Sequence, residues 1–220
     1  MSLPFATLFP SRQEYGINVD FFDYSRNIGY VAFYPSKVNN GSWAVVSNTN
    51  FGSEIVRTEG TAEHTIDLTF NKPVDIGGDI FLSIPIGILA NNSDFVYNIT
   101  AKIYHYDGST ETQIGATTTG ESYSMDTDPA LQGCPYCISS IKITSASVVH
   151  FKSGEIFRVK LQMATTGGAV AFAHDPLNRS DFAATPSDNK VIFNIHNTAT
   201  DRVTEIVTRQ TWLIPFRLDI

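Results

Sequence analysis

The stretch FRVKLQM, residues 157–163, alternates apolar and polar side chains without a break. A period of two places one side of an extended segment against a core and the other side in water, which is the pattern of a β-strand with one buried face. The same alternation recurs at residues 66–70, 97–103, 191–195 and 214–220. The sequence therefore predicts at least five such strands.

Two other runs extend this pattern. In residues 80–88 (IFLSIPIGI) every second side chain is Ile or Leu, so five of them fall on one face of the strand. Pro85 interrupts the run, and because proline cannot donate a ladder hydrogen bond, it predicts a sheet edge or a bulge. The first clear strand along the chain is YVAFY, residues 30–34.

Turn residues separate the runs at short intervals, and Asp107-Gly108 predicts a hairpin between residues 103–106 and 110–114. No stretch long enough for an amphipathic helix carries helical spacing and a cap. Many short strands with frequent turns are typical of an all-β protein with an antiparallel β-sandwich or jelly roll. We expect one such domain over residues 26–220, preceded by a short N-terminal arm, residues 1–25.

The arm is apolar and contains two prolines, so it cannot fold alone. Its large apolar side chains either pack on the chain's own sandwich, which is the simpler interpretation, or are buried by another chain. The candidate interaction residues are Phe5, Leu8, Phe9, Phe21 and Phe22.

Composition excludes several partners. The 220 residues carry 22 Asp and Glu against 15 Lys and Arg, a formal net charge of -7, which is unfavourable for binding a phosphate backbone. No run approaches the length of about 18 apolar residues that spans a bilayer. The first residues lack a basic start and are broken by prolines, so we expect no signal peptide, no membrane partner and no nucleic acid partner.

Cys134-Pro135-Tyr136-Cys137 repeats the four residues of the glutaredoxin active site. That site needs a strand before the motif and an amphipathic helix after it, whereas residues 138–144 here have the pattern of a strand. Redox catalysis is therefore disfavoured. A loop disulfide between Cys134 and Cys137 and a pair of free thiols both remain open.

No other pattern predicts a catalytic, metal or cofactor site. The five histidines are widely separated, and His105 is in phase with the apolar positions of its strand, so we interpret it as a hydrogen-bonded structural residue. Asp126, Asp128 and Glu121 offer oxygen ligands that suit calcium, but solvated turn acids explain them equally well. We therefore expect no cofactor and no enzymatic activity, although a pair of carboxylates in a glycan hydrolase remains a further alternative.

Aromatic residues allow another function. Trp43, Trp212, Tyr104 and Tyr106 can in principle stack on sugar rings, as in a carbohydrate-binding module or a lectin-like adhesin. The simpler interpretation of Tyr104 and Tyr106 is that they line the second face of a sandwich strand.

Two segments, residues 165–178 and 211–220, and the Thr-, Ser- and Asn-rich texture resemble accessory structural proteins of tailed bacteriophages, the β-sandwich decoration or cement proteins. The resemblance implies a non-enzymatic virion protein on the capsid surface, made in the host cytoplasm and attached to the major capsid protein. It also implies self-association, with a trimer favoured, in which the arm reaches a neighbouring subunit. A tail or fibre component is an alternative within the same resemblance.

Overall fold

The computed structural model describes residues 17–18, 28–37, 42–47, 57–90, 95–125, 136–177 and 208–217. Within these residues the chain is all-β and contains no helix. Their fifteen strands are β1 (Ile17–Asn18), β2 (Ile28–Lys37), β3 (Trp43–Val46), β4 (Arg57–Glu59), β5 (Glu63–Thr69), β6 (Val74–Ile76), β7 (Asp79–Ala90), β8 (Phe95–Tyr106), β9 (Glu111–Thr119), β10 (Tyr123–Met125), β11 (Tyr136–Thr144), β12 (Val149–Phe151), β13 (Ile156–Thr165), β14 (Ala169–Ala173) and β15 (Thr211–Arg217).

The strands form two antiparallel sheets. In the larger sheet the order is β1-β2-β15-β7-β14-β4, with β11 on the other side of β7, β3 extending from β2, and β6 joining β15 to β12. In the smaller sheet the order is β10-β8-β13-β5, and β9 pairs with β8. The predicted β-sandwich is confirmed, whereas the jelly-roll order within it stays a prediction.

Alternation fills the space between the sheets, because each strand turns every second side chain inward. The two sheets thus share one hydrophobic core, and its most deeply buried members are aliphatic or aromatic: Ile66, Ile80, Leu82, Ile84, Ile86, Tyr97, Ile99, Ile103, Val159, Leu161, Trp212 and Ile214.

The strand predictions are confirmed wherever the structure describes the chain. The run 157–163 lies in β13, 97–103 in β8 and 80–88 in β7. The Asp107-Gly108 hairpin joins β8 to β9, with Gly108 at a φ of +99°. Residues 191–195 and 218–220 lie outside the described part of the chain.

The edge or bulge predicted at Pro85 is wrong, since β7 is a central strand and its register with β11 is unbroken at this position. Its one side pairs with β11, where Pro85 lies opposite Ile138. Its other side pairs with β15 as far as Ser83 and with β14 from Ile86 onward. On this second side Pro85 thus lies in the gap between two successive partner strands, where no ladder pairing is formed.

The two sheets also approach each other along one side, where β9 and β10 lie against β11. Gly115 has a φ of +68°, and a Cβ on it would lie 2.6 Å from the carbonyl oxygen of Thr144. The Tyr123 hydroxyl donates a hydrogen bond of 3.2 Å to the carbonyl of Ile138. The smaller sheet thereby covers the edge of β11, an edge that would otherwise invite pairing with another chain.

Candidate functional site

The predicted interaction residues of the arm, Phe5, Leu8, Phe9, Phe21 and Phe22, lie outside the described residues. The structure describes two residues of the arm, Ile17 and Asn18, which form β1. They pair with Val31 and Tyr30 of β2 at the edge of the larger sheet. These two residues of the arm therefore extend the larger sheet at this edge.

Cys137 is buried in β11 and is disulfide-bonded. The chain's other cysteine, Cys134, lies outside the described residues. The hydroxyl of Tyr97 points at the Cys137 sulfur from 3.7 Å. Since Cys137 is part of a strand, it does not have the helical setting that a glutaredoxin-like thiolate needs.

Of the three suggested calcium ligands, Asp126 and Asp128 lie outside the described residues. Glu121 is described, and it is exposed in the segment that follows β9. Across the ranges that the structure does describe, no three His, Cys, Asp or Glu side chains are grouped as metal ligands. In the same ranges no helix is long and apolar enough to cross a membrane.

The two tryptophans are packed inside the protein. Trp212 is fully buried in the core, so its interpretation as a sugar-stacking residue is wrong. Trp43 is partly buried, and its ring lies parallel to that of Phe172 with centroids 6.1 Å apart. Lys37 places its ammonium 5.6 Å from the centre of the Trp43 ring.

The outer face of the smaller sheet carries a charged ladder, which we define as Glu63, Asp67, Lys102, Glu111, Arg158 and Lys160. Arg158 makes two hydrogen bonds of 2.7 Å to the Asp67 carboxylate and one of 2.7 Å to Glu111. Lys160 lies 2.6 Å from Glu111, and Lys102 lies 2.8 Å from Glu63. Each cation of the ladder therefore has an anionic partner within the same sheet.

The ladder also engages the two tyrosines. The Arg158 guanidinium lies 4.2 Å from the centre of the Tyr106 ring, and the Lys160 ammonium lies 4.8 Å from that of Tyr104. Cations over these rings are favoured by the negative electrostatic potential of the aromatic face. The tyrosines thus line the second face of a sandwich strand, as the simpler interpretation predicts.

The outer face of the larger sheet has a different character. We define its apolar face as Tyr30, Ala32, Phe81, Ile138 and Leu213. These side chains lie opposite the core because their chain neighbours, such as Val31, Leu82 and Ile214, point inward.

Register places Tyr30, Ala32, Phe81 and Leu213 close together, whereas Ile138 lies opposite Pro85, four positions along β7 from Phe81. Leu213 lies opposite both Phe81 of β7 and Ala32 of β2. The rings of Tyr30 and Phe81 have centroids 6.0 Å apart. Phe81 and Ile138 are each 38% exposed, whereas the others are half-buried. The ion pair between Lys142 and Asp79, 3.1 Å long, lies at the margin.

A third group of residues, which we call the histidine cluster, lies inside one end of the sandwich: Trp43, Thr58, His64, Phe172 and His174. The Thr58 hydroxyl and Nε2 of the fully buried His174 are 3.0 Å apart. Trp43 meets the imidazole edge-on at a centroid distance of 4.7 Å, and Phe172 does so at 5.9 Å. His64 contacts Phe172 at 5.6 Å, and its buried Nε2 has no hydrogen-bond partner.

Burial lowers the pKa of His174 to about 3 and, together with the positive charge of Lys37, also lowers the pKa of His64. Backbone groups of His174 and Arg57 oppose part of the effect on His174. Both imidazoles are accordingly neutral at pH 7. The sequence did not predict this cluster, since its members come from β3, β4, β5 and β14 and follow no local spacing.

His105 takes the structural role that its phase predicts. Its Nε2 lies 2.7 Å from a Glu155 carboxylate oxygen, and its ring packs on Phe151 with centroids 4.4 Å apart. Hydrogen bonds from the Lys152 backbone and from His105 lower the pKa of Glu155, so this carboxylate is charged at neutral pH.

No protein-family model and no curated protein sequence matches the chain. Among solved structures, a CocE/NonD family hydrolase from Staphylococcus aureus is similar at 13% identity and a TM-score of 0.44, over 86% of this chain and 37% of that one. A chain of infectious bursal disease virus Gt strain is similar at 11% identity and a TM-score of 0.23, over 87% and 36%.

Virus-derived T=1 particles of infectious bursal disease virus give a TM-score of 0.19 at 11% identity, over 83% of this chain and 40% of that one. These structural neighbours therefore include viral proteins, although of a virus other than a tailed phage. The chain spans well under half the length of each of these proteins. At TM-scores below 0.5 the likenesses carry no argument about function.

Proposed function

We propose that this protein is a non-enzymatic structural protein of a virion, a capsid decoration or cement protein that attaches to the major capsid protein. The observation that carries the proposal is the apolar face of the larger sheet. Two of its side chains, Phe81 of β7 and Ile138 of the paired strand β11, are each 38% exposed.

Such a face suits a contact surface. Protein interfaces place aromatic and aliphatic side chains at the centre and polar groups at the rim. Here Tyr30, Phe81 and Leu213 lie together, and the Lys142–Asp79 ion pair lies beside them. Covering this face by a partner would remove apolar surface from water, which is the main favourable contribution to protein association.

The carbohydrate-binding alternative has less support. Of its four candidate residues, Trp212 is in the core, and Tyr104 and Tyr106 each carry a cation on the ring. Trp43 packs against Phe172 and His174.

The test is co-sedimentation with capsids of the major capsid protein encoded in the same genome. Phe81→Thr and Ile138→Thr remove large apolar side chains from the face and leave residues that suit a strand. The matched control is Val96→Thr, which changes a side chain of nearly equal exposure, 39%, on the smaller sheet. We expect each face variant to lose at least tenfold in affinity and the control to bind like the wild type.

Equal binding by all three variants would overturn the apolar face as the attachment surface. Wild-type protein that binds phage tails or fibres and not capsids would favour the tail alternative. Failure to bind any virion component would overturn the proposed function itself.

Self-association is a separate part of the proposal, tested by the solution mass from light scattering at two concentrations. Deletion of residues 1–16 leaves β1 on the edge of β2 and removes Phe5, Leu8 and Phe9. We expect a trimer that dissociates on deletion. A wild-type monomer would contradict self-association, and an undiminished trimer would contradict the role of the arm.

A further inference from the structure

The residues of the histidine cluster favour a neutral His174 imidazole and disfavour a charged one. His174 is fully buried, and its side-chain hydrogen-bond partner is the Thr58 hydroxyl. Trp43 and Phe172 occupy its surroundings on two sides. A hydroxyl and two aromatic edges give little compensation for a buried positive charge.

The charged and titratable groups around His174 do not provide that compensation. Lys37 of β2 and His64 of β5 both oppose a proton on it, and backbone groups of His174 and Arg57 offset only part of that opposition. Asp175, the next residue, is buried, and its carboxylate accepts a hydrogen bond from the Leu177 amide. In the described ranges no carboxylate lies within ion-pair distance of the His174 imidazole.

The cluster also lies where several separate strands meet. Thr58 belongs to β4, which pairs with β14 over Ala171–Ala173, and His174 directly follows β14. The amide of Asp175 donates to the carbonyl of Thr208, which links the same position to the residues preceding β15. A change at His174 therefore reaches β4, β14 and β15 at once.

We propose that protonation of His174 opens this end of the sandwich, so that the cluster acts as an acid-sensitive latch between β4 and β14. In the closed form burial disfavours a proton on the His174 imidazole, whereas in the open form the imidazole can accept one. The open population consequently rises as the pH falls below about 6.5, the ordinary value for histidine, and stops rising once the closed form is itself protonated. This inference does not depend on the proposed function.

Hydrogen–deuterium exchange followed by mass spectrometry tests the proposal between pH 7.5 and pH 4.5, with exchange rates corrected for intrinsic chemistry. We expect the opening equilibrium of β4 and β14 to increase by up to about tenfold per pH unit below 6.5, the limit for one proton. Peptides from β8 and β13, at the centre of the smaller sheet, should stay protected over the same range.

His174→Gln keeps a group that can hydrogen-bond Thr58 and removes the titration. We expect its opening to depend on pH less steeply than that of the wild type between 7.5 and 4.5, with His64, whose pKa burial also lowers, as the source of the remaining dependence. The control is His150→Gln, which changes an exposed histidine paired with Asp75 at 2.6 Å and should keep the wild-type dependence. An undiminished dependence in His174→Gln, or uniform opening of both sheets in the wild type, would overturn the proposal.

If His174→Gln does not fold, NMR titration of the histidine ring protons in the wild type decides. A His174 ring that stays neutral to pH 4.5 while β4 loses protection supports the latch. A ring that titrates near pH 6.5 in a closed sandwich overturns it.

Discussion

The two outer faces of the sandwich differ in how far their side chains find partners within the chain. On the smaller sheet, Arg158 alone contacts Asp67, Glu111 and the Tyr106 ring, so the charged ladder completes its interactions within one chain. On the larger sheet, Phe81 and Ile138 leave much of their apolar surface in water. The difference indicates that the ladder contributes to stability, whereas the apolar face gains most when another surface covers it.

Replacing Arg158 should give the largest effect, a loss of stability without a loss of attachment. Arg158→Met keeps the aliphatic stem but leaves Asp67 and Glu111 without their shared cation. Because its hydrogen bonds are charge-assisted and its side chain is 16% exposed, we expect the free energy of unfolding to fall by about 2 to 3 kcal/mol. Urea denaturation measures this loss, and capsid attachment should be unchanged below the unfolding transition.

Lys102→Met is the control for Arg158→Met, since Lys102 makes a single ion pair with Glu63. Its effect should be much smaller, as is usual for exposed pairs. Equal losses in the two variants would contradict the special weight given to Arg158.

A smaller effect is expected at Gly115, where the two sheets meet. Gly115→Ala places a Cβ 2.6 Å from the Thr144 carbonyl oxygen at a φ of +68°. We expect a loss of about 2 kcal/mol from the clash and the backbone strain together. Thermal unfolding or urea denaturation measures it.

Gly108→Ala separates these two causes. Gly108 also has a positive φ, +99°, but a Cβ there would meet nothing within 4 Å. Backbone strain alone should lower the free energy of unfolding by about 1 kcal/mol in Gly108→Ala. If Gly108→Ala is as costly as Gly115→Ala, close contact between β9 and β11 is not what requires glycine at position 115.

Alternation in the sequence was enough to predict several strands and to show that one face of each is buried. It predicts the strands around residues 157–163 and 80–88 because burial on one face directly produces a period of two. Asp107-Gly108 likewise predicts its hairpin, since a positive φ at Gly108 is a local property.

The contacts that define the ladder, the apolar face and the histidine cluster were beyond such predictions. Arg158 meets Asp67 across 91 positions of the chain, and Thr58 meets His174 across 116. These neighbours depend on strand order, which alternation does not specify. Pro85 shows the same limit, because a proline at a sheet edge and one between two successive partner strands have the same local sequence.

The smallest expected effect concerns the charge of the ladder at low pH. Hydrogen bonds from Lys160 and then Arg158 lower the pKa of Glu111, so the folded protein favours the carboxylate. The stability that Glu111 contributes is therefore complete above its ordinary pKa and is lost as the pH falls through the lower, folded value. Urea denaturation between pH 5.5 and pH 3 should show stability falling with pH in the wild type and falling less steeply in Glu111→Gln.

The comparison is made in the His174→Gln background, so that protons taken up at His174 on unfolding do not contribute. Ile138→Thr serves as the matched change on the other face, and it should leave the slope of stability against pH as it is, because no titrating group is altered. A slope that changes equally in both variants would mean that Glu111 does not hold its charge through the ladder. In that case only Arg158 and Asp67 would support the contrast between the two outer faces, the charged ladder of the smaller sheet and the apolar face of the larger sheet.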